Sequence, residues 1–578
     1  MTKLAIAVLS CALFACGPRA AGTGGDGGGS DDGSVGLHVL TAIEVTPTNP
    51  IVELDLNQPS TQAFSAMGRF QDGNDMDISD RVNWSVVNPA VGTLTGTATL
   101  NIPGFPTTTV EVSRIKAELD GITGEAQITV VAYRRSGPAQ DFFFVLPYMP
   151  PTGEVAKPLD FGTAVPALDV FFLMDTTGSM IEEINNLRNA LVNTVIPGIQ
   201  NAVANTMFGV GAFEDFPISP YGGPRNNCFG FSGSTLDQPL TVFSNMTNVV
   251  SQLQTAVGQY VIGSQPKGCG SSWPESSIEA MYLVATGQGL SGPGGTNVPA
   301  SNIGFRPKTM PVIVTITDAI SNAAGETRTC TSSALGGNVT TGFGTAISTA
   351  HTRQQAKDAL RAKCARTVGI APVIANIGNC SGEADLEDFA TATGARVPPA
   401  AWDVGVRPAG CAANQCCTGM NGAGRAPDGN GLCPLVFRVN DQGAGVSTNV
   451  VTGIQLLTRF AQFDVTSERQ GVTTDIDGNA LPAPHTTADF IKSVTPTGFM
   501  LPPAPPVVPN PTFDASTFYG VTPSTRVQFD VKALNDFVMQ TPDAQIFRAT
   551  IRVVASGCAD LDQREVLILV PPNPIVIQ

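Results

Sequence analysis

The segment Asp169-Val170-Phe171-Phe172-Leu173-Met174 is apolar at almost every position. A strand with one wet face would alternate, whereas a run like this must be covered on both faces. Structure therefore has to lie above and below it. Downstream, Ile181, Ile184, Leu187, Leu191, Val195 and Ile199 recur at spacings of three and four, which predicts a helix. The pattern continues. Phe208 to Phe213, Met310 to Thr317 and Val368 to Ile377 read as apolar strands. A helical stretch over 384–393 leads into Ala395-Arg396-Val397, and an amphipathic helix covers 450–460. Strand–helix alternation across 167–465 predicts a doubly wound, Rossmann-like α/β unit with a mainly parallel sheet.

The flanking segments read differently. Residues 38–133 carry short β-branched runs (Ala42-Ile43-Glu44-Val45, Val82-Asn83-Trp84-Ser85-Val86, Ala126 to Val131) between Gly, Pro and Asp turns. Residues 134–166 hold several prolines and read as a linker. Residues 466–578 return to β character, with Val527-Gln528-Phe529-Asp530-Val531, Phe547 to Val554 and Glu565 to Val570 as strands. The expected fold class is multidomain: a central α/β unit between N-terminal and C-terminal β-sandwiches. At 578 residues the chain is too long for one core.

The first residues bear on compartment. Lys3 precedes an apolar run from Leu4 to Phe14, too short to cross a bilayer as a helix. Leu13-Phe14-Ala15-Cys16 then resembles a bacterial lipobox. The resemblance implies a signal peptide over 1–15, lipidation of Cys16 and attachment to a membrane through acyl chains alone. Residues 16–37, dominated by Gly, Asp and Ser, read as a flexible tether. Gly17 lacks the Asp linked with inner-membrane retention, so the outer membrane and cell surface are the expected location, with a periplasm-facing position as the alternative. The net charge of −16 and the lack of basic runs exclude nucleic acid as a partner.

Beyond Cys11 and Cys16, ten cysteines remain: Cys228, Cys269, Cys330, Cys364, Cys380, Cys411, Cys416, Cys417, Cys433 and Cys558. An even number in an exported chain predicts disulfides. Four of them crowd an insertion over 398–435 without C-x-x-C spacing, which argues against zinc. Cys558 is alone in its segment, so a bridge from it must reach the central unit.

The chemistry gathers where the apolar strand ends, in Asp175-Thr176-Thr177-Gly178-Ser179. Ligands of open α/β sheets bind at the carboxyl ends of strands. A D-x-T-x-S loop there offers one carboxylate and two hydroxyls, and the strand from Met310 ends on a second carboxylate, Asp318. Two acidic loops at one edge repel unless a cation lies between them. Hard oxygen donors suit Mg²⁺, and also Mn²⁺ or Ca²⁺.

These residues carry a family resemblance. The segments DVFFLMDTTGSMIEEI, FGVGAFEDFPISPYG, WPESSIEAMYLVA and VIVTITDA resemble a von Willebrand A domain with a metal-ion-dependent adhesion site, specifically the I-like domain of integrin β subunits. The resemblance implies metal ligation by Asp175, Thr177, Ser179, Glu275 and Asp318, and an adjacent metal site at Glu182 and Glu183. Acidic residues in a first helical turn also favour the helix dipole, so the latter pair has two readings. Asp215 falls where the family places a third site. The side-chain ligands expected just before Pro274-Glu275 are replaced by Gly270, Ser271, Ser272 and Trp273, so that site is expected to be absent. Likewise, LTAIEVTPTNP, FQDGNDMDISDRVNWSVVNPAVGTL and GITGEAQITV resemble bacterial Ig-like group 2 domains, which implies a sandwich with Trp84 in its core. The acidic loop Asp72, Asp75, Asp77, Asp80 reads as a solvated turn.

Function follows as an expectation: a cell-surface lipoprotein whose metal-dependent adhesion site holds a protein or surface ligand through that ligand's carboxylate. The loops 217–245, 287–309 and 320–349 would choose the partner, with Cys228 and Cys269 placed to tie the first of them down. Two other readings stand beside it, an envelope-assembly module with the metal as a fold staple and an envelope-polymer hydrolase. Neither G-x-S-x-G nor a placed G-x-G-x-x-G supports an enzyme: Gly287-Gln288-Gly289-Leu290-Ser291-Gly292 follows a helix, not a strand.

Overall fold

The computed structural model describes residues 39–95, 98–135, 141–228, 230–404 and 407–573. The expected signal peptide, the lipidation at Cys16 and the tether over 16–37 lie outside the described residues. Among the described residues no helix is long and apolar enough to cross a membrane.

The N-terminal body is all-β. A four-stranded sheet orders Ile51–Leu54, Ile122–Ala132, Thr109–Leu119 and Asn83–Val86. A three-stranded sheet of Leu40–Thr46, Ser65–Phe70 and Asp75–Asp77 packs with it. The inward residues Ile43, Val45, Ile115 and Ile128 form its core. Trp84 packs against that core half-buried, and its indole N–H donates to the Ser79 carbonyl at 2.9 Å. In the acidic loop Asp77 accepts the Ser79 amide at 2.9 Å, and Asp72, Asp75 and Asp77 are exposed.

The segment read as a linker is structural. Phe142–Val145 pairs in parallel with Ala559–Val570, and Val155–Gly162 pairs antiparallel with Arg526–Ala533. These two strands complete the two sheets of the C-terminal body. One sheet has six strands, in the order Phe142–Val145, Ala559–Val570, Gln545–Ala555, Phe463–Gly471, Thr517–Val521, Thr512–Phe513. The other has three: Val155–Gly162, Arg526–Ala533, Ile491–Met500. The edge-to-face pairs Phe161–Phe529 and Phe518–Phe529, with centroids 5.8 and 5.2 Å apart, fill the space between them. Residues 167–460 are thus inserted into a β body whose strands come from both sides of the insertion.

The inserted segment contains the second six-stranded sheet, ordered Thr241–Thr247, Asn205–Phe213, Ala167–Asp175, Met310–Ile316, Arg366–Val373, Val436–Asn440. The first strand is antiparallel to its neighbour and the other four pairings are parallel. The two-residue period of a strand splits the apolar run. Val170, Phe172 and Met174 pack with Ile184, Leu187 and Ile454, in a core continuous with that of the C-terminal body. Phe171 and Leu173 pack on the opposite face with Ile278, Met281, Leu360 and Phe389. Gly209 and Gly211 make room for Phe171, since a Cβ at either would lie 2.6 or 2.7 Å from its ring.

The expected fold class is corrected on these observations. The protein is mainly β, with 39% strand against 19% helix. Its described residues form ten sheets, eight of them with two to four strands. A doubly wound α/β core between two self-contained sandwiches is not its architecture. The helices are short, the longest being the 15 residues Val446–Phe460. Much of 217–349 and 398–435 is loop and two-stranded hairpin. Ala395-Arg396-Val397 gives only a two-residue strand, Arg396–Val397, paired with Cys433–Pro434.

All ten cysteines outside the N-terminus pair: Cys228–Cys269, Cys330–Cys380, Cys364–Cys558, Cys411–Cys417 and Cys416–Cys433. Cys558 reaches into the inserted segment, stapling it to the C-terminal body. Five disulfides mark an oxidising compartment, where such bonds form and persist.

Candidate metal centre

The parallel strands Ala167–Asp175 and Met310–Ile316 run in register, so their last residues meet at one sheet edge. Asp175 and Asp318 are both buried there. One Asp175 oxygen accepts the Thr177 amide at 2.9 Å and the Thr177 hydroxyl at 2.7 Å. The other accepts the Thr317 hydroxyl at 2.7 Å. The Ser179 hydroxyl donates to Asp318. Thr177 is buried and Ser179 is exposed, so the loop reaches from the sheet edge to solvent.

Glu275 comes from a separate loop that is tied to both others. Its amide donates to the Ile320 carbonyl at 3.0 Å, and its carbonyl accepts the Asn322 amide at 2.8 Å. The Gly178 amide donates to the Cys269 carbonyl at 3.1 Å, which fixes the first loop against residues 268–270. Gly270 sits between these parts: a Cβ there would lie 2.7 Å from Glu275 Oε1 and 3.1 Å from Thr177 Cγ2. Its φ of +64° is a left-handed conformation that glycine adopts without strain. Asp237 holds this turn in place, accepting the amides of Cys269 at 2.8 Å and Gly270 at 3.2 Å.

The electrostatics are unfavourable as the chain stands. Burial, then the charge of Asp318, pushes the Asp175 carboxyl up to about 7. Burial pushes Asp318 up to about 6. Glu275 is raised well above the carboxylate range by burial and by the surrounding acids, Asp175 first among them. Two buried oxygens here, Glu275 Oε2 and Asp318 Oδ1, have no hydrogen-bond partner among the described residues. Unpaired buried carboxylates are expensive, and a cation would relieve both the desolvation and the repulsion. Among the described residues no three His, Cys, Asp or Glu side chains form a group able to hold a metal by themselves. Hydroxyls would have to complete the donor set, and Thr177 and Ser179 are placed to do so. The donors are all oxygens, which fits Mg²⁺, Mn²⁺ or Ca²⁺.

The structure separates the adjacent acidic pair. Glu183 is buried, with Oε1 lacking a partner among the described residues, and its carboxyl rises to about 8, mainly from burial, with Asp318, Asp441 and Glu182 adding repulsion. Glu182 is exposed. Asp215 is buried and accepts hydrogen bonds from the Ser276 hydroxyl and from Asn322 Nδ2, the latter at 3.0 Å. Its lone pairs are thus engaged by protein donors.

Several supporting residues were not singled out in the sequence. Thr317 precedes Asp318 in a run that reads simply as strand. Glu214, which accepts from Thr176 and pairs with Lys267 at 3.0 Å, is adjacent to Asp215 but has no motif of its own. Asp385 accepts the Ser321 amide at 2.8 Å and pairs with Arg328 at 2.8 Å, holding the loop after Asp318. Its only sequence signal is an acid in the first turn of a helix. The disulfides Cys228–Cys269 and Cys330–Cys380 tie down the 217–245 and 320–349 loops.

No family model matches the chain. Over 118 residues it is 31% identical to ice-binding protein 1 of Shewanella frigidimarina (strain NCIMB 400), a match covering 20% of this chain and 12% of that protein. Two structures of the pilus adhesin SpaC from Lactobacillus rhamnosus GG resemble it at 11% identity and a TM-score of 0.28. The open conformation aligns over 80% of this chain and 48% of SpaC, the second form over 86% and 56%. The chain thus spans a small part of the curated relative and about half of the solved structures.

Proposed function

We propose that this is an exported surface-binding protein that takes a divalent cation at Asp175, Thr177, Ser179, Glu275 and Asp318 and uses it to hold an acidic ligand. The observation that carries the reading is the pair of buried oxygens, Glu275 Oε2 and Asp318 Oδ1, that lack a partner among the described residues and lie beside Asp175. A bound cation would supply a Lewis-acidic position for a ligand carboxylate. The chain's own residues do the rest. Thr177 and Thr317 orient Asp175, the Gly270 turn keeps Glu275 close to Thr177, and the exposed Ser179 marks the open side. The cation would let a protein of net charge −16 engage an anionic group. Binding, without catalysis, is the role assigned. The five disulfides support export, and attachment through an acylated Cys16 is part of the same reading.

Calorimetric titration of the full chain with Mg²⁺ and Mn²⁺ tests the cation, with Asp175→Ala as the control. Retention on an immobilised carboxylated dextran, with and without Mg²⁺, tests the ligand. Saturable uptake that Asp175→Ala abolishes, with Mg²⁺-dependent retention, is expected. Uptake without retention would reduce the ion to a fold staple, and no uptake by the wild-type chain would end the reading.

A further inference from the structure

A second polar site lies at the opposite end of the inserted sheet. Met310 and Arg366 begin their strands there, and the helices Arg353–Ala362 and Glu383–Ala392 end there. The C-terminal body closes the space with Phe463 and the turn between its two longest strands. A cavity of about 470 Å³ remains in this seam. Small residues, Ala555, Ala559 and Gly394, lie among those lining it. A Cβ at Gly394 would lie 1.9 Å from Arg366 Nη1, so any larger residue would displace that guanidinium.

Two guanidinium groups line the cavity. Arg366 donates to two backbone carbonyls, Thr393 O at 2.7 Å and Gln462 O at 3.4 Å. Among the described residues no carboxylate forms an ion pair with it; Asp464, which also lines the cavity, favours its charge without pairing with it, and Arg396 opposes its charge. Burial, the largest effect, lowers the Arg366 guanidinium to about 10. Arg361 donates Nε to Ala392 O at 3.0 Å and one terminal nitrogen to Asp358 at 3.3 Å. The second terminal nitrogen has no partner among the described residues. The Arg366 guanidinium is hydrogen-bonded only to carbonyls and its charge is offset only in part by Asp464, and planar N–H forks match carboxylate and phosphate oxygens.

We propose that this seam is a binding site for a small organic anion, a carboxylate or phosphate on an apolar body, with Arg361 and Arg366 holding the anion. Phe463, Met310 and the alanines take the apolar part, and the volume suits a ligand of one ring or a short chain. Because the site joins the inserted segment to the C-terminal body next to Cys364–Cys558, its occupancy would brace the two bodies against each other. The proposal is independent of the cation reading, since it uses the other end of the sheet.

The test is calorimetric titration of the full chain with phenylacetate, phenyl phosphate and inorganic phosphate, at constant ionic strength with chloride as the reference. Saturable binding of at least one probe is expected. Preference for phenylacetate or phenyl phosphate identifies an organic ligand, and equal binding of inorganic phosphate identifies a free oxyanion on the same arginines. Arg361→Gln, at an exposed position, should weaken binding about tenfold or more, as for a charge-assisted hydrogen bond. Ala555→Leu, which keeps both arginines and fills the cavity, should abolish binding of the phenyl probes in a chain whose circular dichroism melt stays cooperative. Absence of saturation by every probe, or wild-type affinity in Arg361→Gln, overturns the proposal.

Discussion

Replacing Asp318 with Asn should stabilise the metal-free protein at neutral pH, a result opposite to that of most substitutions in a buried polar site. The wild-type carboxyl sits at about 6 against an ordinary 3.8. At roughly 1.4 kcal/mol for each tenfold change in proton affinity, keeping it ionised at pH 7 costs about 3 kcal/mol. Its charge also raises Asp175 to about 7, against the same ordinary value, so removing it relieves part of a second penalty. The two titrations are coupled and do not add, and the expected net gain is about 2–3 kcal/mol. Asparagine keeps the shape and can still meet the Ser179 hydroxyl. The sign of the pH dependence follows from folded values lying above unfolded ones. The stabilising contribution of the protonated acids is complete below about pH 4 and is lost as pH rises through 6 and 7. Urea midpoints measured in EDTA at pH 5, 6 and 7 should therefore fall with pH for the wild type and much less for Asp318→Asn. With Mg²⁺ the order should invert. The wild type gains about 2.7 kcal/mol at a hundredfold excess over its dissociation constant, and the variant gains little. A variant less stable than wild type in EDTA at pH 7, or a wild-type midpoint that does not change between pH 5 and 7, would refute the reasoning.

The joint Cys364→Ser, Cys558→Ser variant opens a loop of 194 residues, for which chain entropy sets an upper loss of about 5 kcal/mol. A lowered urea midpoint with an unchanged near-ultraviolet spectrum checks it. Gly211→Ala forces a methyl against the Phe171 ring and should cost about 1–3 kcal/mol by thermal melting, and less in a Phe171→Leu background. Asp385→Ala removes the carboxylate that Arg328 and Arg353 share, leaving Glu326 as their remaining partner, and frees the Ser321 amide, with an expected loss of about 1.5–3 kcal/mol and weaker Mg²⁺ uptake by calorimetry. A fragment of residues 463–573 should not fold alone, because it lacks Phe142–Val145 and Val155–Gly162, whereas 141–573 should give a dispersed amide spectrum.

Local features were legible in the chain itself. The run at 169–174 could only be a strand covered on both sides, because no half-exposed strand tolerates six successive positions so poor in polar groups. Asp175, Thr177 and Ser179 were readable because they are close in sequence and leave the end of that strand. An even set of exported cysteines pointed to disulfides, and the isolation of Cys558 pointed to a bridge out of its own segment. Pairing across long separations was not legible. A strand shows its pattern but not its partner, so Phe142–Val145 and Val155–Gly162 looked like linker when their neighbours lay some 400 residues ahead. The balance of helix and strand was misread for a related reason. The Gly-, Ser- and Thr-rich stretches between strands read as loops, and hairpins such as Thr329–Ser332 with Gly337–Thr340 arise within them only through pairing. Tertiary structure alone brought Thr317, Gly270, Asp237 and Asp385 to the acidic edge, and Arg361 and Arg366 to the seam. Their roles depend on which backbone groups and charges end up nearby, and proximity in a folded chain is fixed by the packing of distant segments, not by the order of residues along it.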